Sequence, residues 1–405
     1  MKFNIYTGSN LFSEIFIVIM KMLQFQKFYD PSIVKKYEKK FSNIVNKKYG
    51  FAFGSGRMSL YAGLKSIGLK KNDEIIIPAF TCVVVANAIK YTGAKIVYCD
   101  ISKQNFNINL KEIKNLITKK TKAIYIQHTF GNYCNFNSLI KICRSKKISI
   151  VEDCAHYFPE RKKLDSFGKK SDFIFFSTDH SKFINTHLGG IILTDNKIIA
   201  EKLKKIKYNA NELNFLNNFS LNLSFIFENL FYHPRLYAHA KIFIKILSKF
   251  KILFYFRDEL FLNKPKYYPT KINSYQALIG IKQLENIENN IKHRKKIVGL
   301  LNNTLNIKLN SNYPLLRYSF LIKSRENFVK FFSRYIDLDI WYETVLHGRQ
   351  TDFKKLGYKK GSCKNAEFVC KHIVNFPTHL KIDFKYFKKI LSMNKTYIKN
   401  NVINE

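Results

Sequence analysis

Between residues 74 and 195 short apolar runs recur along the chain, separated by segments long enough to form helices. "EIIIP" (74–78), "KIVYCD" (95–100), "KAIYIQHTFG" (122–131), "KISIVED" (147–153), "DFIFFST" (172–178) and "GGIILTD" (189–195) read as buried strands. "RMSLYAGLKSIGL" and "TCVVVANAIKYTG" carry apolar residues at helical spacing, and Gly68 is placed to close the first of these helices. Strands alternating with helices predict an α/β domain whose mostly parallel central sheet is sandwiched by helices. In such sheets, reactive groups gather beyond the carboxyl ends of strands. His128, Asp153 and Ser177 all fall at such ends, which marks the region as a pocket.

The flanking regions differ in pattern. "LFSEIFIVIMKMLQF" (11–25) is interrupted by Glu14 and Lys21 and is too short to span a bilayer, so it reads as a short helix packed on a partner. Residues 205–262 are rich in aromatics, with Pro234 near the middle, and predict one or two helices broken there. That region has two readings: a face packed on a partner subunit, or a peripheral membrane contact, since Lys beside Phe and Leu suits an interfacial helix. "INSYQALIGIKQLENIENNIKHRKKIVGLL" (272–301) reads as one long amphipathic helix. Beyond it, "LLRYSFLIK" (315–323) and "KHIVNFP" (371–377) are strand-like, and "RENFVKFFSRY" (325–335) is helix-like. The expected organisation is a large domain with its N-terminal segment and aromatic insertion (1–262), a connecting segment (263–300), and a small α+β C-terminal domain (301–405).

Composition narrows the class. With 405 residues and 46% apolar content the chain can bury a substantial core. Seven scattered cysteines without a C-x-x-C pair argue for a reducing, cytoplasmic setting and against a disulfide framework. No metal site is expected. The formal charge of +40 comes mostly from lysines dispersed along the sequence. A nucleic-acid protein concentrates such charge in a patch or stripe, so nucleic acid is not the expected partner. A dispersed positive field suits phosphorylated small substrates, or anionic lipid at the inner face of a membrane.

Three pieces carry candidate chemistry. "FFSTDHSKFINTHLGG" places Lys182 just beyond a strand, where a buried amine becomes a nucleophile toward carbonyls. "VEDCAHYF" places Asp153 at another strand end, where a carboxylate could hold a protonated ring nitrogen. "GSGR" (54–57) opens a helix, and free amides there favour an anion, with Ser55, Arg57 and Ser177 as further donors. Taken singly, each has an ordinary explanation: a surface lysine, a solvated strand-end acid, a turn. The third glycine of the dinucleotide fingerprint is absent, since Met58 and Ser59 follow Arg57.

In order and spacing, "GSGRMSLYAGLKSIGL", "DEIIIPAFTCVVVANAI", "TKAIYIQHTFGN", "VEDCAHYF", "FFSTDHSK" and "SYQALIGIKQLENI" resemble the DegT/DnrJ/EryC1/StrS family of sugar aminotransferases that use pyridoxal 5'-phosphate (PLP). The resemblance covers about residues 35–300 closely and the C-terminal part more loosely. It implies a fold-type I PLP-dependent transferase, a homodimer with composite sites, an amino-acid donor such as glutamate, and a keto-sugar acceptor, nucleotide-linked, in polysaccharide or lipopolysaccharide biosynthesis. By the same resemblance Lys182 bonds the cofactor and moves the proton, while Asp153 sits at the pyridine nitrogen. His156 lies near the ring oxygen, and Ser177 with Gly56 and Arg57 holds the phosphate. Cys82 stands where the family often has a ring that stacks on the cofactor. Pro269 and Lys271 stand where it has an Asn-x-Arg element reaching the neighbouring site. Some relatives replace the lysine with histidine and dehydrate instead. This chain keeps Lys182 and has His180 two residues earlier, so amino transfer is the expected reaction, with His180, Lys271 and His128 as candidate substrate contacts. A PLP-dependent sugar dehydratase and a noncatalytic binding protein of the same fold are the alternatives.

Overall fold

The computed structural model describes residues 1–5, 9–10, 12–24, 27–237, 253–254, 263–305, 313–348 and 351–403. In chain order, α1 (Phe12–Leu23) and α2 (Pro31–Ile44) precede β1 (Tyr49–Phe53), α3 (Gly56–Ser66), β2 (Glu74–Pro78), α4 (Val83–Lys90) and β3 (Lys95–Cys99). There follow α5 (Leu110–Leu116), β4 (Thr121–Gln127), α6 (Asn137–Ser145), β5 (Ser149–Asp153), β6 (Phe173–Ser177) and β7 (Gly190–Thr194). After these come α7 (Lys197–Tyr208), α8 (Phe215–Phe231), α9 (Ser274–Glu285) and α10 (Ile287–Leu305). The C-terminal part holds β8 (Arg317–Leu321), α11 (Arg325–Phe332), α12 (Lys364–His372), β9 (Ile373–Pro377), α13 (Phe384–Met393) and α14 (Lys395–Asn401).

The first seven strands form one sheet in the order β1-β7-β6-β5-β4-β2-β3. The five from β6 to β3 run parallel, and β7 is antiparallel to both of its neighbours. Alternation along each strand sorts its side chains between two cores. Ile75, Ile77, Ala123, Tyr125, Val151, Phe173 and Phe175 pack on the face shared with α3 and α4. Ile76, Ile124, Ile126 and Ile150 face the opposite way, toward α5 and α6. Six of the strands fall where the apolar runs place them. β1, "YGFAF", was not legible, because it is short and Gly50 gives it no continuous apolar pattern.

Gly68 closes α3 with φ +83°, a left-handed conformation that glycine adopts without strain. The long helix expected over 272–301 is two helices. Asn286 takes φ −102°, and its N–H bonds back to Gln283 O rather than continuing the ladder, so α9 ends and α10 begins afresh. α9 starts with a reciprocal cap between Asn273 and Gln276. Of the one or two helices expected in 205–262, α8 is the one before Pro234; most of the stretch beyond Pro234 lies outside the described residues.

β8 and β9 pair antiparallel and share a core with α10 to α14. Phe3 lies in the same core, which also takes in Ala79, Phe80 and Val83, and it bridges Ile336. No helix among the described residues is long and apolar enough to cross a membrane.

Candidate active site

The register of the parallel strands puts the site together. Gln127, Asp153 and Phe175 are direct neighbours across β4, β5 and β6, so the three side chains emerge on one face of the sheet. All three line a cavity of about 870 Å³ that also receives Ser55, Gly56, Arg57, Cys82, His156, Ser177, His180 and Lys182. Every cofactor-binding residue expected from sequence therefore borders one space. α8 adds Leu216, Asn217 and Ser220, and the C-terminal part adds Trp341, Tyr342 and His347.

Lys182 sits on the 178–189 connection between β6 and β7, a segment held by its backbone from several sides. Thr178 N–H donates to Gly189 O at 2.9 Å, and Lys182 N–H donates to Asp179 O at 3.0 Å. Ser9 Oγ donates to Lys182 O at 2.7 Å. From α9, Gln283 accepts from Asn185 N–H at 2.7 Å and donates to Asn185 O at 2.9 Å, while Gln276 donates to Leu188 O at 2.6 Å. The glutamines of "SYQALIGIKQLENI" thus fix the loop that carries the lysine. The lysine side chain is buried, 6% exposed. Burial disfavours its ammonium and lowers its pKa to about 8; Asp179 and Asp153 oppose that shift and Arg317 adds to it.

Asp153 is equally buried. Loss of water pushes its pKa upward, and hydrogen bonds from Tyr125 Oη–H and, at 2.7 Å, from Ala155 N–H work against that push. A cationic N–H brought to this carboxylate would favour its ionised form. His156 is driven strongly toward the neutral imidazole, first by burial and then by Lys182 and Arg317. Its Nδ1 accepts from Phe130 N–H at 3.4 Å, so the neutral ring carries its proton on Nε2 and offers a donor. In the next pair, burial acts against both charges, yet mutual attraction wins: Asp179 is held low and His180 high, with Asp179 Oδ1 2.7 Å from His180 Nδ1.

The anion end is built from α3. Ser55 caps that helix by accepting from Met58 N–H at 3.3 Å, leaving the first-turn amides around Gly56 at the cavity wall. β7 runs so close to this turn that a Cβ on Gly190 would lie 2.5 Å from Gly56 N. On Gly56 a Cβ would lie 2.7 Å from Ser177 Cβ. Two glycines therefore bring the helix start, Ser177 and the lysine loop into direct contact. An amine, a buried carboxylate, an imidazole donor and an anion-binding helix start around one cavity match the donor set that PLP requires, and the residues fit that cofactor.

Two candidate substrate contacts are not in this cavity. His128 is one residue past Gln127 and therefore turns to the other side of the sheet. It is fully buried, with Nε2 3.0 Å from Glu152 Oε2 and Nδ1 accepting from Cys134 N–H at 3.1 Å. This makes it a packing residue, stacked on Tyr133. Lys271 lies outside the lining and pairs with Glu212 at 2.9 Å. Sequence reasoning missed Tyr125, Gln127, Arg317 and Trp341. Tyr125 and Gln127 were within reach, being two and four residues from Ala123 on the same strand face. Trp341 offered one signal, as the single tryptophan of the chain.

The sheet, the lysine loop and the anion-binding turn define a PLP-dependent enzyme of fold type I. The chain belongs to the DegT/DnrJ/EryC1/StrS aminotransferase family, whose pattern matches residues 12–223 and 257–393. It is 29% identical over 373 residues to an uncharacterised protein of Methanocaldococcus jannaschii, covering 89% of this chain and 90% of that one. It is 31% identical over 177 residues to GDP-perosamine synthase of Escherichia coli O157:H7, covering 43% of this chain and 48% of that enzyme. Its fold is similar to that of a DegT/DnrJ/EryC1/StrS aminotransferase from Brucella abortus, with TM-score 0.73, 17% identity and 95% of each chain covered.

Proposed function

We propose that this enzyme moves an amino group from an amino acid, glutamate being the first candidate, to a nucleotide-linked keto-sugar. The observation that carries this reading is the meeting of Lys182 and Asp153 in one buried cavity against the start of α3. When bound, PLP supplies the aldehyde that takes up the amine and a ring that accepts the electrons left when a C–H bond breaks. Lys182 Nζ, with its pKa near 8, takes the proton from the donor's α-carbon and returns one during transfer to the acceptor. Asp153 would hold the ring nitrogen's proton, and the hydrogen bond from Tyr125 orients that carboxylate and favours its ionised form against the effect of burial. His156 would offer its Nε2–H to the ring oxygen. The α3 amides, Ser55, Ser177 and Arg57 would hold the phosphate. Trp341 covers the amine with its indole face. Retention of the lysine supports amino transfer over dehydration.

The reading extends to a homodimer working in the cytoplasm on a surface-polysaccharide precursor. Support for the dimer comes from α1, where Phe12, Phe16, Ile19, Met20 and Leu23 form an exposed stripe at helical spacing. α8 carries no lysine or arginine, which favours a subunit contact over attachment to anionic lipid for that helix.

The test is spectroscopic and kinetic. Purified protein supplied with PLP should absorb near about 410–430 nm, lose that band on borohydride reduction, and bleach on adding glutamate. Lys182→Ala should lose nearly all turnover with a panel of keto-sugar nucleotides while keeping its fold. Normal turnover by that variant would end the reading.

A further inference from the structure

We propose that Trp341 is a positioning residue for Lys182, its indole face being the resting place of Nζ while it is an ammonium not bonded to the cofactor. Lys182 Nζ lies 4.6 Å from the centre of the indole ring, and the Arg317 guanidinium carbon lies 3.9 Å from the same centre. Trp341 is fixed at two points, one on its backbone and one on its ring. Its main-chain N–H donates to Asn375 Oδ1 at 2.7 Å, and its Nε1–H donates to Asp339 Oδ2 at 3.2 Å. Asn375 is itself tied to Ser319 Oγ at 2.7 Å, across the β8–β9 pair. The ring is thus an anchored wall of the C-terminal part, presented to a lysine carried by the large sheet.

A lysine on a four-carbon stem samples many positions once it is released, and an indole face attracts a cation enough to select one of them. The inference rests on the aminotransferase reading in one respect: in that reading the freed amine acts as the base, and once it has taken the proton it is the ammonium that an indole face attracts. Asp153 from β5, Asp179 from its own loop, Arg317 from β8 and Cys82 before α4 also face the amine. Neutral His156 adds no charge. The two carboxylates lie on the sheet side, so the indole supplies the attraction from the opposite lobe. Burial places the protonation change of the amine near pH 8, where the indole will register it.

Because Trp341 is the only tryptophan, its fluorescence reports this contact without a substrate or cofactor. The full-length chain freed of PLP, titrated from about pH 6 to 9.5, should show one step in emission with a midpoint near 8. Lys182→Met should abolish the step while retaining His180 and His347, which border the same cavity. Absence of the step, or an equal step in Lys182→Met, overturns the proposal. In the loaded enzyme Trp341→Ala should lower kcat about tenfold with a change in donor KM under about threefold. Trp341→Phe, which keeps an aromatic face, should recover at least half of that loss on a logarithmic scale. Equal losses in the two variants overturn the proposal as well. Failure of the aminotransferase reading would appear separately, as wild-type protein without a PLP band or turnover, and the fluorescence titration would still decide the indole's role.

Discussion

Replacing Lys182 with Met should stabilise the cofactor-free protein at neutral pH, by an amount that shrinks as pH rises. The amine has an ordinary pKa of 10.5 and about 8 in the fold, because burial strips water from the ammonium. Below pH 8 both folded and unfolded chains carry the proton, and the fold bears the full cost of the buried cation. The gap between the two pKa values corresponds to about 3 kcal/mol. Between pH 8 and 10.5 the folded chain has lost the proton while the unfolded chain keeps it, so wild-type stability climbs with pH. Methionine has a similar length and no charge at any pH. Urea unfolding of both proteins at pH 7, 8.5 and 10 measures the difference. It should fall from about 3 kcal/mol at pH 7 to under about 1 kcal/mol at pH 10. A difference that stays constant across this range would refute the argument, since it would mean that the amine keeps its water in the fold.

His128→Ala should reduce stability by about 3–5 kcal/mol, because it leaves Glu152 buried without its imidazole partner. The remaining folded fraction should bind PLP normally, and selective loss of cofactor at unchanged stability would put His128 back in the site. Tyr125→Phe removes the hydroxyl that donates to Asp153, a charge-assisted bond worth about 1.5–3 kcal/mol. Asp153 should then titrate higher and PLP should dissociate about tenfold more readily, measured by dialysis; unchanged retention would show that the carboxylate needs no support from Tyr125.

The strands from β2 to β7 were legible because each is a short apolar run closed by polar residues, and Lys182, Asp153 and Ser177 follow from where those runs end. Side-chain direction at a strand end was not legible. His128 and Asp153 both follow buried strands, yet one residue of offset sends His128 to the far side of the sheet, where Glu152 meets it. Helix breaks without Gly or Pro were also hidden: Asn286 interrupts an unbroken apolar period by turning one N–H back to Gln283. The walls of the cavity were least visible. Trp341 reaches Lys182 from far along the chain, and Arg317 reaches Trp341 only because β8 and the 339–342 segment fold together. No local pattern encodes such contacts. The loss of an aromatic at Cys82 was readable, but the supply of rings at Trp341 and Tyr342 from the C-terminal part was not.

The crowding of Gly56, Ser177 and Gly190 has a consequence for how such an enzyme can change. These three backbones touch, so the spacing between the phosphate cradle and the proton-moving lysine is set by main chain and leaves no room for a side-chain adjustment. Leu216, Asn217 and Ser220 of α8 stand on a separate helix with none of those constraints. Diversifying those three positions should therefore redirect which sugar is accepted while the reaction itself persists, giving an engineer a dial for selectivity mounted apart from the engine.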